Sequence, residues 1–294
     1  MQNYKITTQD GIANYYEYGD AKNPSIVCLH GLAGNGLYSF DELAFLLEEN
    51  LHLIVVDSPG HGETSSFLNE DDYLFSNLAT WLHQVIEKII SGSFYLMGHS
   101  WGADMALYFT RFYPEKIEGL IMLDGGFTFP QNQPEMTFEY VYKGWRNYME
   151  QSVFANEEEI SQEYLTYTNR WDSRKEKYAA SLFKKRQDGN FELAASTFTV
   201  LAIIKAFFKE PFTEVYPFIK MPTLLLYAEL PKSLNAARVT GIGQLRSNVE
   251  NVSVIAIGGS SHMIQWDEPQ QIAIIISKWI MGEGCAIFPP FTVI

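Results

Sequence analysis

The chain has 294 residues, 47% of them hydrophobic, and a formal net charge of −14. That length supplies one large domain with an insertion, or two small domains, with enough apolar residues for a full core. The acidity and the lack of a concentrated basic stripe exclude a nucleic-acid partner, count against a strongly anionic substrate unless the cleft carries its own positive group, and come with no apolar run long enough to span a bilayer.

The two cysteines, Cys28 and Cys285, make no metal or disulfide pattern. Met1-Gln2-Asn3-Tyr4-Lys5 is not a basic-then-apolar leader. A cytoplasmic protein without membrane insertion is the expectation.

In chain order, residues 4–7 and 12–18 alternate around Gln9-Asp10-Gly11 and read as a hairpin. Residues 25–29 form a continuous apolar run, as expected of a strand covered on both faces. Residues 40–49 read as an amphipathic helix with Leu43, Leu46 and Leu47 on one side. A buried strand follows at 53–56, stopped by Asp57-Ser58-Pro59-Gly60, and then a long helix at 73–90. Residues 94–97 are the next strand and 103–108 begin a helix. Between them lies Gly98-His99-Ser100-Trp101-Gly102, which fits G-x-S-x-G in the strand–turn–helix setting the motif needs. A strand at 120–123 ends in Asp124-Gly125-Gly126.

The rhythm then changes. Residues 127–217 lack short buried strand runs and are rich in Tyr, Phe and Trp; helices are predicted at 137–151, 157–171, 174–187 and 191–208. Strands resume at 222–227 and 252–257, then Gly258-Gly259-Ser260-Ser261-His262 and a closing helix at 268–280 that opens near Pro269. Buried strands alternating with helices predict a mostly parallel sheet with helices on both faces, whose ligands bind at the carboxyl ends of the strands. Ser100, Asp124, Glu229 and His262 each follow a different strand at that end. The helical insertion is placed to form a lid over the same edge.

His30-Gly31 after an early strand, Asp57-Ser58-Pro59-Gly60-His61-Gly62 after the next, the turn at Gly98 to Gly102, and Gly-x-x-x-His ending at His262 come in this order along the chain. In these four signatures, over nearly all of residues 1–280, the chain resembles the α/β-hydrolase superfamily. The resemblance implies an eight-stranded, mostly parallel sheet with helices on both faces. It places a core at 1–126 and 218–294 and a helical cap at 127–217.

A serine hydroxyl is a poor nucleophile unless a base takes its proton and an acid orients that base. Ser100 is the candidate nucleophile, and the resemblance assigns the base to His262. The family's usual acid position falls near Pro231, which cannot orient an imidazole. Asp124, where other members carry the acid, is favoured, with Glu229 as the alternative. The oxyanion-hole amides map to Leu32 and Trp101. Asp57, His30 and His61 are expected to be structural, His99 to point away from the serine, and His52 and His83 to lie near the surface. No histidine pair has a metal-ligand spacing, so neither metal nor cofactor is expected.

Gly31, Trp101, Phe127, Phe129, Tyr140 and Trp145 are candidates to line the cleft, with simple packing as the competing reading. Glu157-Glu158-Glu159 could hold an ammonium group, although a solvated helix start explains it better. The expected activity is hydrolysis of carboxylic esters of small, largely apolar substrates through an acyl-enzyme. Lactone opening, C–C or thioester cleavage, removal of an amino-terminal residue, or a non-catalytic small-molecule receptor remain open on the same residues. The partner is a small-molecule substrate and the protein a monomer or homodimer. The apolar tail 285–294 is expected to dock on the body or on another subunit.

Overall fold

Alternation of buried strands and amphipathic helices builds one eight-stranded sheet in the computed structural model, which describes residues 1–282. The tail at 285–294 lies outside the described residues. The strands before the insertion are β1 (Gln2–Thr8), β2 (Gly11–Tyr18), β3 (Ser25–Leu29), β4 (His52–Val56), β5 (Phe94–His99) and β6 (Ile117–Leu123). Their helices are α1 (Gly36–Leu47), α2 (Phe75–Ile86) and α3 (Trp101–Phe112).

The segment that follows carries α4 (Phe138–Gln151), β7 (Val153–Phe154), α5 (Glu157–Tyr164), α6 (Ser173–Ala180), β8 (Phe183–Lys185), β9 (Phe191–Leu193) and α7 (Thr197–Lys209). The chain then returns through β10 (Thr223–Ala228), α8 (Asn235–Asn248), β11 (Val252–Ile257), α9 (Ile264–Asp267) and α10 (Pro269–Ile280). The sheet order is β1-β2-β4-β3-β5-β6-β10-β11. It is antiparallel from β1 to β4 and parallel from β4 to β11.

Both faces are covered, which is why the central strands read as unbroken apolar runs. Val27 and Leu29 of β3 pack with α2 and α3 on one side, whereas Ile26 and Cys28 pack with α1 and α10 on the other. Each such fully buried aliphatic side chain stabilises the fold by roughly 1.5–3 kcal/mol.

The segment between β6 and β10 differs from the all-helical expectation. It contains a three-stranded antiparallel sheet, β7-β9-β8. Strands of two or three residues are too short to show period-two alternation. Asp188-Gly189 turns the chain between β8 and β9, with Gly189 at φ +92 and a hydrogen bond from Arg186 N–H to Asn190 O. The expected helices at 157–171 and 174–187 therefore end early. α7 starts only behind Ser196, whose side chain accepts from Thr199 N–H. Helix α8 has no counterpart among the predicted helices, because Gly241 and Gly243 weaken its pattern; a Cβ on Gly241 would lie 1.8 Å from Phe127 O.

This segment is fastened to the sheet-bearing part along two flanks. On one, the buried Lys175 of α6 pairs with Glu42 of α1 at 3.0 Å, Tyr178 donates to Asp41 at 2.8 Å, and Thr168 donates to Asp267 at 2.6 Å. On the other, Lys205 of α7 pairs with Glu70, and Ser76 of α2 donates to Glu210 at 2.6 Å. Ile203, Ala206 and Phe207 of α7 also join the core around α2 and α3. Among the described residues no helix is long and apolar enough to cross a membrane.

Candidate active site

Ser100 sits between β5 and α3 at φ +53 and ψ −124. A non-glycine residue in that region carries about 1–3 kcal/mol of strain. The turn is possible only because its neighbours lack side chains: a Cβ on Gly98 would lie 2.2 Å from Gly102 O, and one on Gly102 would lie 2.1 Å from Leu29 O. Ser100 N–H donates to Leu123 O at 3.0 Å, tying the turn to the end of β6.

That end supplies Asp124, also at positive φ (+45). A Cβ on the next residue, Gly125, would lie 2.2 Å from Ser100 O, so glycine is what lets the two loops meet. Asp124 Oδ1 accepts from Ala228 N–H at 2.9 Å, which leaves Oδ2 facing His262 Nδ1 at 2.7 Å. His262 Nε2 lies 2.9 Å from Ser100 Oγ. The loop bearing His262 is braced by Asp267, whose Oδ2 accepts from both the N–H and the Oγ of Ser261 at 2.7 Å.

A hydroxyl bonded to an imidazole that is itself bonded to a carboxylate can lose its proton to the ring as it attacks. Glu229 takes no part in this chain. It is exposed and accepts from Gly259 N–H at 3.2 Å.

Leu32 lies beside Ser100, on the loop after β3. Its neighbours are held by two buried histidines. His30 Nε2 accepts from Ser58 N–H at 2.9 Å while Nδ1 donates to Gly31 O at 2.8 Å. His61 Nε2 accepts from Ala33 N–H at 3.2 Å while Nδ1 donates to Pro59 O at 3.1 Å. Asp57 accepts from Gly36 N–H at 2.8 Å, Asn14 Nδ2 at 2.9 Å and Glu63 N–H at 3.1 Å, a bracing part. Among the described residues neither Leu32 N–H nor Trp101 N–H donates to a protein acceptor, as is usual for Trp101 at a helix start.

Burial pushes His61 down to about 3, against roughly 6.5 for an unfolded histidine. Below that value the unfolded chain binds a proton the folded one refuses. The stability this ring supports is therefore whole above pH 6.5 and falls as the pH drops toward its folded value. Between pH 7 and pH 5 the wild type should lose roughly 2 kcal/mol more than a His61→Gln variant, as read from urea unfolding at each pH.

Two other histidines depart from expectation. His99 lines the same large cavity as Ser100, its ring packs 4.9 Å from that of His262, and its Nε2 donates to His262 O at 3.0 Å. His52 is buried, bonded to Ser25 Oγ at 3.0 Å and to Glu17 at 2.7 Å.

Two cavities meet at Ser100. The large one, of about 710 Å³, is lined by Gly31, Phe129, Tyr140, Trp145 and, unforeseen, by Tyr38, Tyr148, Tyr164 and Tyr167. The small one, of about 240 Å³, is lined by Trp101, Phe129 and Trp145 and by four unforeseen polar residues, Asp104, Thr128, Gln133 and Arg238. Phe127, a candidate lining residue, reaches neither cavity: it is buried, its ring packed 6.0 Å from Tyr227. Glu157, Glu158 and Glu159 open α5 and border neither cavity.

A serine on a strained strand-to-helix turn, at the carboxyl edge of a sheet of this order, defines an α/β hydrolase. The model of the alpha/beta hydrolase fold matches residues 24–269, and the chain belongs to that family. It is 30% identical over 140 residues to a "Serine hydrolase-like protein" of Danio rerio, a match covering 48% of this chain and 42% of that one. The chain thus spans less than half the length of that relative. It is 23% identical to a "Proline iminopeptidase" of Saccharolobus solfataricus, over 95% of this chain and 94% of the other. Among solved structures, "E-2-(Acetamidomethylene)succinate Hydrolase" shares the fold with a TM-score of 0.79 at 20% identity, covering 95% of this chain and 99% of that one.

Proposed function

We propose that the chain is a serine hydrolase of carboxylic esters with small, largely apolar substrates, and that Ser100, His262 and Asp124 carry the reaction. The observation behind this reading is the continuous chain of hydrogen bonds from Ser100 Oγ through His262 to Asp124, at 2.9 and 2.7 Å. Ser100 Oγ attacks the ester carbonyl as His262 Nε2 takes its proton. Asp124 keeps the ring in the tautomer with Nδ1–H and stabilises the imidazolium. The carbonyl oxygen becomes an oxyanion, stabilised by the N–H groups of Leu32 and Trp101. Each such donor is worth about 3–4 kcal/mol of barrier. His262 then gives its proton to the departing alkoxide. Water, deprotonated by the same ring, splits the acyl-enzyme and restores Ser100.

The aromatic wall of the large cavity suits an apolar acyl or alcohol part, and the segment 127–217 acts as its cap. The resemblance to a proline iminopeptidase over almost the whole chain keeps peptide substrates as a second reading. Steady turnover of 4-nitrophenyl butyrate, with covalent labelling by a fluorophosphonate probe, is the expected result. Absence of both would mark a receptor that binds without cleaving. Faster cleavage of proline nitroanilide than of the butyrate ester would favour the peptidase.

A further inference from the structure

The small cavity holds a buried acid for which ester cleavage gives no use. It shares Ser100 and His262 with the large one, so a substrate whose carbonyl rests at Ser100 reaches into both. Of its charged groups, Asp124 is committed to His262 and to Ala228 N–H. Arg238 gives its guanidinium to the carbonyls of Glu229, Leu230 and Pro231 and to Asn235 Oδ1, at 2.6–3.1 Å.

Asp104 stands apart. It lies on the first turn of α3, only 3% exposed, and no side chain among the described residues donates a hydrogen bond to it. Its carboxyl has only backbone donors, the N–H groups of Asp104 itself and of Gly126, and burial pushes that carboxyl well above the usual carboxylate range. Keeping a carboxyl buried with backbone donors alone costs free energy of desolvation. An alanine would pack the same helix without that cost. The wall around the cavity is aromatic, with Trp101, Phe129, Trp145 and Phe207, and ring faces of this kind attract cations.

We propose that Asp104 is a specificity residue that selects substrates carrying a protonated amine a few bonds from the scissile carbonyl, the ammonium seated in the small cavity and the apolar remainder in the large one. The proposal rests on Ser100 being the nucleophile. A purely apolar group would leave the acid desolvated with its backbone donors alone. The ammonium supplies a further N–H donor and the charge that holds the carboxyl ionised. A net charge of −14 on the whole chain draws cations toward it at long range.

Two matched ester pairs test this at neutral pH. 2-(Dimethylamino)ethyl butyrate against 3-methylbutyl butyrate places the amine on the alcohol part. Methyl 3-(dimethylamino)propanoate against methyl 4-methylpentanoate places it on the acyl part. The expected result is a kcat/KM ratio, amine over isostere, of roughly tenfold or more in one pair, which Asp104→Asn brings to one or below. The ratio cancels any general loss in the variant. A wild-type ratio near one in both pairs, or a preference that Asp104→Asn leaves in place, overturns the proposal. Should Asp104→Asn not fold, Asp104→Ser gives the same readout. If no ester turns over and the fluorophosphonate leaves Ser100 unlabelled, the hydrolase reading fails separately. Calorimetric titration with the N,N-dimethylpropylammonium ion then decides: saturable binding weakened about tenfold by the Asp104 substitution supports the site, and no saturable binding overturns it.

Discussion

Asp124→Asn should lower kcat on 4-nitrophenyl butyrate by about 10⁴-fold, the scale set by loss of the orienting carboxylate in a serine hydrolase. The size of the effect follows from the second contact of the carboxyl group. Oδ1 is fixed by Ala228 N–H, so an asparagine keeps its carbonyl oxygen there and turns its NH₂ toward His262 Nδ1. A donor at that place forces the ring into the tautomer with the proton on Nε2. That nitrogen then meets Ser100 Oγ as a donor and cannot take its proton. Glu229→Gln should change the rate by no more than about threefold, since it disturbs only a bond to Gly259 N–H on the solvent side. If the Glu229 variant proves the more damaged of the two, the acid has been misassigned.

Ser100→Ala should reduce turnover still further, by about 10⁶-fold, and abolish fluorophosphonate labelling. The fold should survive, because alanine meets the same positive φ as serine and the flanking glycines that make room for the turn are untouched. An unchanged circular dichroism spectrum beside a lost activity is the signature to look for. Turnover that persists in this variant would point to water activated by His262 alone, and the covalent route would have to be abandoned.

Much of this was open to a reader of the amino-acid string. The central strands announce themselves because both of their faces are covered, and the turn at Ser100 because only glycine fits at 98 and 102. For the acid, the family resemblance favoured Asp124, with Pro231 at the more usual position, and left Glu229 open as the alternative. Short-range patterns failed where tertiary contacts decide. The strands β7, β8 and β9 hold two or three residues each, below the length at which alternation can be seen. Phe127 follows the cleft residues in sequence, yet the close approach of Gly241 to its carbonyl fixes it beneath α8 rather than in the cleft. Nothing in the sequence marks Asp104, and only its burial beside a cavity sets it apart. The tyrosines of the large cavity come from α4, α5, α1 and the turn after α5, a convergence that no local window displays.

The ion pairs and hydroxyl contacts on both flanks of the segment between β6 and β10 also bear on traffic through the site. Breaking the buried Lys175–Glu42 pair alone would leave a charge stranded at a penalty of about 3–5 kcal/mol. A roof riveted down in this way does not lift as a unit at each turnover. On the proposed function, substrate and product would pass through a doorway between side chains at the mouth of the large cavity, one of whose lining residues, Tyr140, is exposed. The size of that doorway, more than the volume behind it, then sets which molecules are admitted and how fast they leave.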